Sequence, residues 1–228
     1  MGCKFVNSKN PMSNATNGNA GYNFPERLFY PDDEKVHPWL GMLLDAFVIT
    51  DEGVEKGIEK ELRRGRKLAC GKGCSACCRT HKTIPVYPLE LVGISWYVTE
   101  KLCGVTRDKL KAQLRSHKKG AVCPFLVHDL CSIHAVRPMA CRQFNVFETV
   151  CKEGEDAYYT RRQDVLTPFQ QYVDKAFYRM LPFYGVQSDA ERHQAIKSGD
   201  IHQVARVLQD FDWSSLAGKM DQHDERCR

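Results

Sequence analysis

The chain has 228 residues, 27% of them charged and 43% hydrophobic, with a formal net charge of +5. That is the composition of a globular protein with length for one core and appendages, and it excludes a membrane-embedded or wholly disordered chain. No stretch reaches the roughly 18 to 20 consecutive apolar residues of a spanning helix, and basic residues alternate with acidic ones except in the short runs 63–67 and Lys118-Lys119, so no nucleic-acid signature stands out.

Residues 1–24 hold six Asn and almost no apolar periodicity. They are expected to form a disordered N-terminal tail, since too little apolar surface is available to offset the entropy of ordering. The start Met1-Gly2-Cys3 resembles a myristoylation signal, but Val6 stands where that signal needs Ser or Thr. No secretory leader is visible, so a reducing, cytoplasmic location is expected and close-set cysteines point to metal or redox chemistry before disulfides.

From Pro38 onward, Trp39, Leu40, Leu43, Leu44, Phe47 and Val48 make a helix-spaced stripe. Thr50 reads as the cap of a second helix, with Val54, Ile58 and Leu62 on one face. "TIPVYP" at 83–88 reads as extended, Leu89 to Leu102 as a buried helix, and Gly104 as its C-cap. Thr106 opens a further helix with Val105 and Leu110 placed as a hydrophobic staple. Residues 123–144 show no sustained period and predict irregular backbone with a small hairpin. Thr167 and Pro168 look like the start of an amphipathic helix, Ser188 to Glu191 like a capping box, and Ile201, Val204, Val207, Leu208 and Phe211 like a last helical face. The fold class expected is mainly α, with helices surrounding an irregular cysteine-rich metal-binding centre. The domain expected runs from 25 to 215, with a core motif at 68–146, C-terminal helices at 167–212 and a polar C-terminal tail at 216–228.

Eleven cysteines are present, and seven fall into two groups: Cys70, Cys74, Cys77 and Cys78, then Cys123, Cys131 and Cys141. Thiolates suit zinc and iron-sulfur sites, and spacings of two or three residues let one turn aim several sulfurs at one centre. Gly71 and Gly73 permit such a turn. Adjacent side chains diverge, so Cys77 and Cys78 are expected to serve different centres unless one is a core thiol. Seven sulfurs leave three arrangements open: one cluster with spare thiols, two metals sharing a sulfur, or a site completed by another side chain. His81, Glu90 and His134 are the candidates for that completion. Arg137 and Arg142 flank Pro138 and Cys141, where a guanidinium offsets thiolate charge or holds a carboxylate or phosphate. Cys3, Cys103, Cys151 and Cys227 have no comparable neighbours in sequence and read as ordinary.

"CGKGCSACC", followed by "CPFL", "CSIHAVRP" and "CRQF", resembles the CxxCxxCC family of zinc- or iron-chelating proteins, also called YkgJ-like cysteine cluster proteins and mostly bacterial. The resemblance covers about 68–146. It implies metal chelation by Cys70, Cys74, Cys77, Cys78, Cys123, Cys131 and Cys141, with Arg137, Pro138 and Arg142 completing the signature. The first spacing here is three residues where the family name implies two. Some relatives are flagellin lysine methylases, but the chain has no GxGxxG fingerprint for a methyl donor. The leading expectation is a cysteine-ligated zinc, iron or iron-sulfur protein in redox, metal handling or structure. The alternatives are a metal-dependent methyltransferase or oxidoreductase with a pocket framed by Tyr158, Tyr159, Phe169, Tyr172, Phe177 and Tyr178, and an interaction module, with a protein partner, stapled by structural zinc.

Overall fold

A computed structural model describes residues 25–227. The expected tail at 1–24 and the Met1-Gly2-Cys3 signal lie outside the described residues. The fold is mainly α, as expected. Its helices are α1 (Pro31–Val36), α2 (Pro38–Arg63), α3 (Ala76–Thr80), α4 (Pro88–Trp96), α5 (Gly104–Ser116), α6 (Met139–Gln143), α7 (Ala157–Thr160), α8 (Gln170–Met180), α9 (Asp189–Ser198) and α10 (Ser214–Arg226). Two small antiparallel pairs join them, β1 (Pro85–Val86) with β4 (Arg206–Val207) and β2 (Leu126–Val127) with β3 (Leu130–Cys131). No helix among the described residues is long and apolar enough to cross a membrane.

The long helix α2 is the spine. Its stripe of Leu40, Leu43, Leu44 and Phe47 is buried in one core with Val86, Leu89, Ile94, Leu110, Phe125, Phe177 and Met180. The helix does not break at Thr50 as expected. Thr50 is buried, and its hydroxyl donates to the Ala46 carbonyl at 2.8 Å, so the group that could have capped a new helix is satisfied inside a continuous one. Close approach of α8 depends on Gly53, where an added Cβ would stand 2.5 Å from the Tyr172 Cβ.

Three further expectations are corrected. Val105 is 68% exposed and staples nothing, although Leu110 is buried. Residues 200–210 form two 3₁₀ turns and β4 rather than a helical face, because Arg206 and Val207 pair with Val86 and Pro85. The segment read as a polar tail holds α10, whose Leu216, Ala217 and Met220 are buried against the core and whose Asp221 and Asp224 meet Lys111 of α5 at 3.0 and 2.6 Å. Its apolar residues are too few to register against the surrounding charge, yet the spacing i, i+1, i+4 is enough for one buried face. The capping box at Ser188 and Glu191 forms as read. The helix expected from Pro168 begins at Gln170, with Phe169 in the cap position.

Candidate metal centre

Four short elements bring cysteines to the flank of this core. Helix α3 carries Cys77 and Cys78, the turn before β2 carries Cys123, the end of β3 carries Cys131, and α6 carries Cys141. The Cys123 amide donates to the Cys78 carbonyl at 2.9 Å and locks the second cysteine segment onto the first. The β2–β3 turn uses His128 and Asp129, both with positive φ (49° and 62°), in the two-residue hairpin geometry that glycine or asparagine usually supplies. Arg79 of α3 grips Asp129, and Lys109 of α5 meets His128, so the tip is held from both sides. Cys78, Cys131 and Cys141 pack against the main core, and Cys123 is part of it.

These thiols act on one another. Cys77 shares a sulfur hydrogen bond with Cys78, and Cys78 another with Cys123. The shared bond with Cys78, then burial, pushes the Cys77 thiol far up. The bond with Cys123 is the main cause that takes Cys78 up to about 12. Burial raises Cys131 and raises Cys141 well above the usual thiol value, with Cys77 and Cys131 themselves among the neighbours that disfavour a second negative charge. Without metal the group is therefore a protonated, desolvated set of soft donors, and binding a cation must expel those protons. Among the described residues no three His, Cys, Asp or Glu side chains stand, as placed, at positions that would hold a metal ion.

A second group lies beside the first. Residues 67–70 run against 146–148: Leu68 bridges Phe147, and the Ala69 amide donates to the Val146 carbonyl at 2.8 Å. The Val146 amide in turn donates to the Cys70 sulfur at 3.2 Å. Cys70 and Cys151 pack on one small apolar cluster of Val146, Ala157 and Val165. The three-residue spacing between Cys70 and Cys74 is taken up by a turn, with the Cys74 amide on the Gly71 carbonyl at 3.1 Å and Gly73 at φ 82°. Cys74 is exposed. The Cys70 thiol is raised chiefly by burial and feels Cys74, Cys77 and Cys151, while Cys151 is raised by burial, opposed by Arg161, and feels Cys74. Cys151, read from sequence as ordinary, thus belongs with Cys70 and Cys74. Its spacing carried no signal, because the 146–148 pairing that returns it to Cys70 is a long-range contact. Cys77 is coupled to both groups.

The non-cysteine candidates take other positions. Both oxygens of buried Glu90 are engaged: Oε2 accepts from the Tyr87 amide at 2.9 Å and Oε1 from the Met139 amide at 2.7 Å. Burial nonetheless lifts its pKa to about 7. Glu90 therefore ties α4 to the start of α6, the helix that carries Cys141. Arg142 is 6% exposed, lies over the Phe47 ring at 4.1 Å, donates to the Arg137 and Ala135 carbonyls at 2.9 and 2.6 Å, and pairs with Asp51. It clamps the 135–137 turn and α6 onto α2. Arg137 reaches His134 Nε2 at 2.5 Å, and its charge favours the thiolates of Cys77 and Cys131. Partial burial, then the two guanidiniums, holds His134 down to about 4, so it is neutral at physiological pH. His81 stands edge-on to Phe144 with ring centroids 4.2 Å apart, and its Nε2 meets Asp156 at 3.1 Å.

The six aromatics read as a pocket frame do not converge on one pocket. Phe177 is in the core, Tyr172 packs on Gly53, Tyr178 hydrogen-bonds Asp189 at 2.5 Å, Tyr158 and Tyr159 are exposed, and Phe169, its ring centroid 6.5 Å from that of Tyr172, lines a separate pocket without the other five.

Comparison with curated proteins and with solved structures gives no match. The CxxCxxCC family model, described as "Putative zinc- or iron-chelating domain", matches residues 69–170, a span that contains both thiol groups and Cys151. This part of the chain is thus similar to the CxxCxxCC family.

Proposed function

We propose that the chain binds metal at two adjacent all-cysteine positions. Cys77, Cys78, Cys123, Cys131 and Cys141 serve the inner one, Cys70, Cys74 and Cys151 the outer one, and Cys77 lies between them. The observation that carries the reading is the inner group itself: five thiols from four separate elements, coupled to one another on the flank of the core. Such a gathering is costly without metal, since desolvated thiols crowd one another, and it matches the soft-ligand preference of zinc and iron-sulfur centres. The outer group adds three sulfurs to the inner five, which removes the need for a histidine or carboxylate ligand. The engagement of both Glu90 oxygens agrees with that.

The protein's own side chains divide the work. Arg137 offsets thiolate charge, Arg142 and Glu90 hold α6 in place, and the Arg79–Asp129 pair holds β3 to α3. A bound iron-sulfur centre would supply electron transfer, and bound zinc would supply a structural clasp for the short elements between residues 70 and 151. The exposed Cys74 leaves the outer position open to solvent and favours exchange of electrons or metal over a purely structural role. The test is anaerobic purification without a polyhistidine tag, followed by absorbance and by iron, zinc and labile-sulfide analysis. Matched iron and sulfide with visible absorbance supports the redox reading. Colourless protein with zinc supports the clasp, and protein free of both metals overturns the proposal.

A further inference from the structure

A pocket of about 360 Å³ opens between the C-terminal end of α2 and the loop entering α8, and none of the thiols lines it. Four of its lining side chains are cations, Lys60, Arg64, Arg66 and Arg162, against one acid, Glu61. Arg66 is committed to the fold: it pairs with Glu61, Glu148 and Asp164 at 3.1, 3.2 and 2.9 Å and covers the Phe147 ring. Arg64 shares Glu61 at 2.8 Å. Lys60 and Arg162 differ. Lys60 lies 5.1 Å from the centre of the Phe169 ring, and Arg162 lies 5.0 Å from that of Tyr158 while donating to the Val165 carbonyl at 3.2 Å. Among the described residues neither forms an ion pair with a carboxylate. An aromatic face attracts a cation but leaves its charge uncompensated.

We propose that this pocket binds a soluble small molecule bearing a phosphate ester, held by Lys60 and Arg162 with Arg64 at the rim. The two uncompensated charges match a phosphate monoester, which carries about −1.5 to −2 at neutral pH, whereas a carboxylate balances only one. Guanidinium forks suit phosphate oxygens, and the Phe169 ring gives an apolar wall for the organic part. A nucleic acid is the poorer fit, because the cations converge on one concavity instead of tracking a backbone. The volume lies in the range of small-ligand pockets.

The test is calorimetric titration of the metal-loaded protein with phenyl phosphate at low salt, with benzoate in parallel. The proposal expects saturable one-to-one binding of phenyl phosphate. It also expects a loss of about tenfold or more in affinity in the double variant Lys60→Gln/Arg162→Gln, and no change in Lys197→Gln/Lys219→Gln, which removes the same charge elsewhere. All four side chains are exposed, so both variants should fold, and circular dichroism checks that. Unsaturable binding, an equal loss in the two double variants, or benzoate binding as tightly as phenyl phosphate would overturn it.

Discussion

Replacing Gly53 by Ala tests the packing of α2 on α8, the helix pair that frames the spine. In a solvent-facing helix position this change stabilises by about 1 kcal/mol, because glycine is the poorer helix former. At Gly53 the new Cβ would meet the Tyr172 Cβ at 2.5 Å and its Cγ at 2.8 Å, where carbon atoms prefer about 3.5 to 4.0 Å. The Tyr172 Cβ is fixed to the α8 backbone and has no rotamer in which to retreat, so the helices must part by about 1 Å and lose contact along their length. Overpacking of this kind costs about 1 to 3 kcal/mol, and a backbone-bound obstacle puts it in the upper half. The net expectation is a loss of about 1 to 2 kcal/mol after the helix-propensity gain. Gly218 of α10 is the control: it has no heavy atom within 4 Å of an added Cβ, so Gly218→Ala should gain about 0.5 to 1 kcal/mol. Urea unfolding of both variants and the parent at equal metal loading gives the comparison, with slopes unchanged and midpoints moving in opposite directions. A Gly53→Ala midpoint at or above that of the parent would refute the close-approach argument.

Other predictions concern the joints of the fold. Arg107 is buried and donates to the Leu102 and Met220 carbonyls at 3.1 and 3.3 Å, and pairs with Asp224 at 2.7 Å. Arg107→Ala should therefore cost about 3 to 5 kcal/mol in chemical unfolding. Burial raises the Asp224 carboxyl, but Lys111 and Arg107 outweigh it and hold the pKa below its ordinary value. A depressed carboxylate pKa contributes stability that is present above the unfolded-state value and lost as pH falls through the folded one. The stability gap between the parent and Asp224→Asn should hold at neutral pH and close as the pH drops below about 4. Glu90→Gln turns an amide N–H₂ toward one of the two backbone donors and should cost about 1 to 3 kcal/mol. If Glu90 positions α6, the same variant should release metal faster to a chelator.

The helical character and the cysteine constellation were legible because both are local. Apolar spacing exposed the face of α2, and the crowding of Cys70 to Cys78 exposed the donor chemistry. What escaped depended on contacts distant in sequence. Thr50 resembles a cap until its hydroxyl is seen bonded to Ala46. Val207 looks helical until β4 finds β1, and α10 looks like a tail until Leu216 and Met220 reach the core. Cys151 looked isolated because its partner Cys70 lies 81 positions earlier and is reached only through the pairing of 67–70 with 146–148. Glu90 reads from sequence as a candidate extra ligand, because the two amides that engage its oxygens, those of Tyr87 and Met139, are visible only in three dimensions.

The most direct measurement is metal content per chain in the parent, Cys77→Ser, Cys131→Ser, Cys151→Ser and Cys227→Ser, all purified without oxygen and without a histidine tag. Cys77→Ser should lose metal from both positions, Cys131→Ser and Cys151→Ser should each lose part of it, and Cys227→Ser, at the exposed end of α10, should match the parent. Full metal content in both Cys77→Ser and Cys131→Ser would contradict the account.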